Sequence, residues 1–235
     1  MTKCSLLSLV LVIPVLAAAP AQAKPAPRTL DLPGSLNQVH IDSPAGEVSL
    51  TTASSQPYHA AVEARESGSN SSDSFLAACL ALVSAKVQGS ALVIDVAPPT
   101  SSDLDDCSYE VTANIPANAD VAIKQHGLQA SLNGDFKSVK TDTDAVKMLF
   151  EGHVTDLGMK SQAVDADISF SRVNHDETID INSKALNAML DFGGAKPISY
   201  SVDGVASWVD SELPNTPGAK PSIRLKAMSV RATIR

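Results

Sequence analysis

The chain is short of most of what usually carries chemistry. It has three cysteines, five histidines and one tryptophan, and aromatic residues fill only 4% of its 235 positions. No CxxC pair is present and no histidine lies near a cysteine, which argues against a redox or zinc-ribbon site. No GxSxG elbow marks a serine nucleophile, and neither the GGxGxD nonapeptide nor EF-hand spacing is there to bind calcium. Basic residues are also scarce, with 18 Lys and Arg against 26 Asp and Glu. That balance excludes a nucleic-acid-binding surface and direct adhesion to anionic phospholipid. Beyond residue 19 no apolar run is long enough to cross a bilayer, so a transmembrane segment is not expected in the mature chain.

The first 23 residues read as a signal peptide. Lys3 supplies the positive end, residues 6–19 form the apolar stretch, and Ala21-Gln22-Ala23 is a small-x-small cleavage site before Lys24. Cys4 lies ahead of the apolar stretch, where a lipid anchor is not attached. Lys3 is the sole charged residue removed, so the mature chain keeps 17 basic and 26 acidic residues. Export places the two remaining cysteines, Cys79 and Cys107, in an oxidising compartment. An even pair there reads as one disulfide, worth roughly 3–4 kcal/mol for a loop of this size. The expected setting is periplasmic or otherwise associated with the cell envelope, with secretion as the further option.

Residues 24–36 are rich in proline and polar groups, which predicts an extended linker. From Val39 the pattern alternates, with Val39, Ile41, Val48 and Leu50 on one side and a turn over residues 43–46. A second strand is expected over 58–64, a flexible loop over 67–74, and a short helix over 75–82 capped by Ser72 or Asp73. Next come a hairpin, 85–87 and 92–96 about a Gly89-Ser90 turn, and a strand over 108–115. No linker separates this irregular part (37–120) from the remainder of the chain, so 37–235 is read as one domain.

Residues 121–235 hold six similar strings, starting at Val121, Val139, Leu157, Ile179, Ile198 and Ile223. Position one is always aliphatic. Position seven is always small (Gly127, Ala145, Ala163, Ala185, Gly204, Ser229) and position eight aliphatic (Leu128, Val146, Val164, Leu186, Val205, Val230). Position twelve is always apolar (Leu132, Phe150, Ile168, Leu190, Val209, Ile234). A unit this short cannot bury its apolar face alone and must stack on its neighbours. Period-two alternation on both sides of position seven excludes a helical repeat. Positions one, three, eight, ten and twelve should point inward, and the small residue should mark a bend that a Cβ would crowd. Parallel stacking in chain order then sets Asp142 between Lys124 and Lys160, and Lys147 beside Asp165, as a ladder of opposite charges.

The five histidines occupy different positions and read as solvated loop residues. Asp142, Asp144, Asp165 and Asp167 read as a solvated, salt-bridged face, with cation binding or catalysis as the lesser readings. Asp103, Asp105 and Asp106 form an acidic loop with ligand chemistry for weak Ca²⁺ binding, a solvated loop being the simpler expectation. Position eleven points outward yet holds Leu149, Met189 and Trp208. Met189 and Trp208 are the candidate surface contacts, either an exposed strip or a patch covered by the loop over 212–221. The chain offers no catalytic residues, no metal ligands and no cofactor motif.

A signal peptide, the opening VHIDSPAGEVSL, the strand EVTANIP and the tandem ΦxΦxxxGΦxΦxΦ units together resemble the bacterial putative-adhesin β-strand-repeat family. That family is a domain of unknown function found in exported and envelope proteins, and the resemblance covers roughly residues 37–235. It implies a right-handed β-solenoid and an envelope setting, and it supplies no catalytic residues. The chain departs from the pattern in its Ala and Ser at several bends and in its cysteine pair. The expected fold is therefore an all-β, single-domain right-handed β-solenoid of about six short rungs. The expected function is that of a non-enzymatic binding or scaffold module whose partner is an envelope protein or glycan. The alternative is a carbohydrate-active enzyme of the polysaccharide-lyase kind. An acidic groove with an unpaired lysine would favour the enzyme, whereas paired charges and an exposed Trp208 would favour the module.

Overall fold

The computed structural model describes residues 25–65, 72–99 and 101–235. The expected signal peptide and most of the loop expected over 67–74 lie outside them. The N-terminal part contains β1 (Arg28–Asp31), β2 (Gln38–Asp42), β3 (Ala45–Thr51), β4 (His59–Arg65), the helix α1 (Asp73–Ala81), the hairpin β5 (Val83–Gln88) and β6 (Ala91–Val96), and β7 (Ser108–Asn114). The repeat region contains β8 (Ala119–Lys160), β9 (Ala163–Phe170), β10 (Thr178–Asn182), β11 (Ala185–Asp191), β12 (Ser199–Ser211) and β13 (Ser222–Ile234). Ser72 caps α1, its hydroxyl accepting the Phe75 N–H. The segment expected to be a linker is tied to the sheet, because β1 pairs antiparallel with β4 and both Leu32 and Leu36 are buried.

The strand pairing overturns the solenoid expectation. Five strands close on themselves in the order β8–β10–β13–β11–β9 and back to β8, and every pairing in the ring is parallel. The fold is a closed five-strand parallel β-barrel with extra strands, not a right-handed solenoid of six rungs. Two long strands make closure possible by serving both sides of the ring. β8 pairs with β10 through residues 156–160 and with β9 through 145–152. β13 pairs with β10 through 222–226 and with β11 through 229–234. In β8, β12 and β13 the small residues at position seven lie within continuous strands, whereas Ala163 and Ala185 open β9 and β11 after short breaks. Around the ring, β3, β7, β4 and β1 continue from β8 on one side, and β2, β6 and β5 continue from it on the other.

Chain order fails at the end. The last repeat, β13, inserts between β10/β11 and β12, leaving β12 as an edge strand paired only with β13. Composition explains the exchange. β13 buries Ile223, Leu225, Ala227, Val230, Ala232 and Ile234, whereas no residue of β12 is buried. In β12 the inward phase carries Tyr200, Val202, Ser207, Val209 and Ser211 in a weaker apolar pattern, so the strand with more to gain from burial takes the interior. Tyr200, not Ile198, stands opposite Ile223, and Ala206 stands opposite Ser229. The fifth string is thus displaced by two positions from its sequence alignment, and Val205, expected to point inward, is 90% exposed.

The remaining positions stack in register. Leu157 pairs with Ile179, Ala163 with Ala185, Val164 with Leu186 and Ile168 with Leu190. Lys160 and Asp142 are 3.2 Å apart, as are Lys124 and Asp42. Lys137 with Asp120 and Lys140 with Asp156 add two more exposed pairs at 3.1 Å. Each contributes about 0.2–1 kcal/mol, enough to favour register but not to drive folding. The interior also holds a column that the repeat does not announce. Phe136, Phe150, Phe170 and Phe192 succeed one another with ring centroids 6.1, 5.8 and 4.9 Å apart.

Cys79 and Cys107 form the expected disulfide, joining α1 to the segment before β7 across 28 residues. Beside it the Tyr109 hydroxyl donates to the Cys79 carbonyl at 3.3 Å, and burial pushes the phenol up to about 12. A disulfide of this kind belongs to an oxidising compartment. Among the described residues no helix is long and apolar enough to cross a membrane.

Candidate functional site

Parallel register brings the residues of one repeat position into rows that cross the strands. The small residues form one such row, Ala45 beside Gly127, then Ala145, Ala163, Ala185, Ser229 and Ala206. Gly127, Ala145, Ala163, Ala185 and Ser229 floor an open groove of about 870 Å³. Crowding does not explain this row, because a Cβ on Gly127 would meet only the Ala45 Cβ at 3.9 Å. The small side chains keep the groove open.

Two polar rows flank it. On one side His126 Nδ1 lies 2.8 Å from Asp144 Oδ2, Gln162 donates to Asp144 Oδ1 at 2.9 Å, and Lys184 donates to Gln162 at 3.0 Å. The hydrogen bond from His126, then that from Gln162, holds the Asp144 carboxyl below its ordinary value. A depressed folded pKa means that this chain of bonds persists as pH drops through the usual carboxylate range. It comes apart only as pH falls through the lowered value. NMR of the Gln162 side-chain amide should show that low midpoint, and a midpoint at the ordinary aspartate value would refute it.

On the other side the row runs Glu110, Glu47, Gln129, Lys147, Asp165, Asn187, Arg231 and Trp208, one residue from each strand except β8, which gives both Gln129 and Lys147. At about 4.8 Å per strand it spans roughly 34 Å. Asn187 donates to Asp165 at 2.7 Å, and Gln129 to Glu47 at 3.4 Å. Lys147 stands opposite Asp165 as expected, but the register is not closed by an ion pair. Trp208 ends the row, 52% exposed, with the Arg231 guanidinium 5.5 Å above its ring.

The structure separates the two candidate contacts. β13 lies between them, and Met189 stands opposite Thr233, two residues beyond Arg231, the partner of Trp208. Met189 is half-buried and makes no strip with Trp208. The loop over 212–221 does not cover the tryptophan; it turns back on β12, where the Asn215 side chain bonds both the N–H and the carbonyl of Tyr200. Sequence alignment puts Trp208 in the row of Leu149 and Met189, and the two-residue displacement of β12 moves it into the polar row. The acids do not converge: Asp142 pairs with Lys160, Asp144 with His126, and Asp167 stands between Leu149 and Met189. In the acidic loop, Asp105 and Asp106 are exposed beside the 3-10 turn Ser102–Leu104, and the side chain of Asp103 lies outside the described residues.

One histidine is not solvated. His153 is buried, as is Glu177, and His153 Nε2 lies 3.2 Å from Glu177 Oε1. Glu177 also accepts backbone N–H groups from Asn174 and Asp176. Desolvation works against its charge, but these hydrogen bonds and His153 outweigh it and hold the carboxyl below its usual range. The sequence signal was weak, since His153 falls just past a repeat and Glu177 just before another, 24 residues on.

No protein-family model and no curated protein matches the chain. The family resemblance read from the sequence thus gains no family-model match. Among solved structures, a putative cell adhesion protein from Clostridium sporogenes is 9% identical with a TM-score of 0.43, covering 90% of this chain and 98% of its own. A putative adhesin from Bacteroides fragilis is 13% identical with a TM-score of 0.36, covering 89% and 95%. Another from Parabacteroides distasonis is 9% identical with a TM-score of 0.29, over the same shares.

Proposed function

We propose that this chain is an exported, non-enzymatic binding module of the bacterial cell envelope, and that the groove over the small residues, with the adjoining surface at Trp208, is its contact surface. The observation that carries the reading is the row from Glu110 to Trp208 beside the floor of small residues. It offers carboxylate, amide, ammonium and guanidinium groups at the regular spacing of the strands, and it closes on an exposed aromatic ring. Such a surface suits a long partner with repeated hydrogen-bonding groups, an envelope glycan or an extended stretch of envelope protein. The mostly paired charges elsewhere on the surface favour this module. Arg65 in the groove pairs with Glu110, and Lys147 would suit a lyase, but the carboxylates near it, Glu47 and Asp165, are already bonded to amides. The disulfide supports a place outside the cytoplasm, and the unbroken cluster of buried residues from Leu32 to Ile234 supports one domain.

Trp208 is the only tryptophan, so its fluorescence reports the site directly. Envelope extract should retain the wild-type protein in a pull-down, and the captured partner should shift Trp208 emission to the blue. Trp208→Ala should weaken capture roughly 10- to 100-fold, as loss of an interface anchor does. Its melting temperature should stay near that of wild type, because the ring is half-exposed on an edge strand. Undiminished capture would remove Trp208 from the contact surface, and a large drop in stability would make it a packing residue instead.

A further inference from the structure

The buried pair His153 and Glu177 has a third neighbour. One ligand atom from each of His153, Asp176 and Glu177 lies within 4.8 Å of the others, which no other group of three His, Cys, Asp or Glu does among the described residues. We propose that these three side chains form a binding site for a divalent transition cation of the Zn²⁺ type.

The ligand chemistry is one imidazole and two carboxylates, a set that suits Zn²⁺ and its first-row neighbours. Geometry agrees. Bonds of about 2.0–2.1 Å at a tetrahedral centre set neighbouring ligand atoms roughly 3.3 Å apart, and His153 Nε2 and Glu177 Oε1 are 3.2 Å apart. The carboxylate is already aimed, since the Asn174 N–H holds Oε1 and the Asp176 N–H holds Oε2. Outer bonds of this kind orient metal ligands. Asp176 is exposed at the edge of the site, which gives an ion a route to the two buried ligands.

The neighbouring amide is compatible with an ion at this place. Asn174 Nδ2, a donor, lies 3.1 Å from His153 Nε2, the same atom that faces Glu177. A proton on Nε2 satisfies Glu177, and the Asn174 amide then turns to present its oxygen to the same proton. Without that proton Asn174 is satisfied, but two lone pairs face each other across 3.2 Å. A cation between Nε2 and Oε1 would take that proton's place and bridge the two lone pairs. It also neutralises a carboxylate that is costly to bury. The other ring in the loop is engaged elsewhere, His175 Nδ1 lying 2.9 Å from the Lys220 carbonyl oxygen.

Calorimetric titration of the chelator-treated full chain with Zn²⁺ alone tests the site. One equivalent should bind and should raise the melting temperature by several degrees. Asp176→Asn, on an exposed residue, should weaken binding at least 10-fold and abolish most of the thermal gain. His153→Gln should remove binding, and His126→Ala should leave it unchanged. Absence of saturable binding to the folded wild type would overturn the proposal, and so would binding that survives both Asp176→Asn and His153→Gln. Neither result touches the groove, whose test reads Trp208.

Discussion

Leu186→Asp is expected to unfold the protein at room temperature. Leu186 lies on β11, 4% exposed, between Val164 of β9 and Val230 of β13. Losing the leucine forfeits about 2–3 kcal/mol of apolar burial. A carboxylate in its place has no partner among its apolar neighbours, and effective penalties for such an ion are several kcal/mol more. A domain has only about 5–15 kcal/mol in total. Because β11 is a member of the closed ring, its loss opens the ring and exposes strands on both sides. Far-ultraviolet circular dichroism and a thermal melt decide the matter. A cooperative melt within a few degrees of wild type would mean that Leu186 does not face the interior.

Gly152→Ala should cause the next largest loss, and it separates two readings of the glycines. At Gly152 φ is +144°, and an added Cβ would sit 1.9 Å from the carbonyl oxygen of Gly134. Gly134 in turn, at φ +123°, would place a Cβ 2.0 Å from Thr52 Oγ1. At Gly152 the approach is through the bare backbone of Gly134, so a methyl group must move main chain rather than a flexible side chain. A conformation unfavourable to an L residue costs about 1–3 kcal/mol, and forcing space in a packed interior costs a similar amount again. At about 2–4 °C per kcal/mol for a chain of this size, the melting temperature should fall by roughly 5–20 °C. Gly127→Ala should be close to neutral, since it meets a single methyl group at van der Waals distance. Equal effects at the two sites would show that the approach at Gly152 is looser than the structure has it.

That contrast shows where the sequence misleads. The alignment picks out Gly127 because it recurs in phase with Ala145 and Ala163, yet recurrence there keeps a groove open rather than relieving a clash. Gly134 and Gly152, two of the glycines that strain would forbid replacing, fall outside the first twelve positions of the strings. His153 and Glu177 escape for the same reason, His153 lying between two strings within β8 and Glu177 in the connection before β10, with neighbours set by folding and not by period. Met189 and Trp208 look adjacent because the strings are read in chain order, and the exchange of β12 with β13 separates them.

What the sequence determined by itself is local. Period-two alternation settles which face of each strand is buried, so Leu157, Ile179, Val164 and Leu186 could be named as interior without a structure. The Ser72 cap, the Gly89-Ser90 hairpin and the Cys79–Cys107 pair were legible for the same reason, each resting on chemistry within a few residues or on a count of two. Strand order, ring closure, the two-residue displacement of β12 and the meeting of His153 with Glu177 were decided only by the tertiary structure. Each depends on a competition between segments distant in the chain for the same buried edge. A strand's own alternation shows that it has a face to bury, but not which neighbour will bury it.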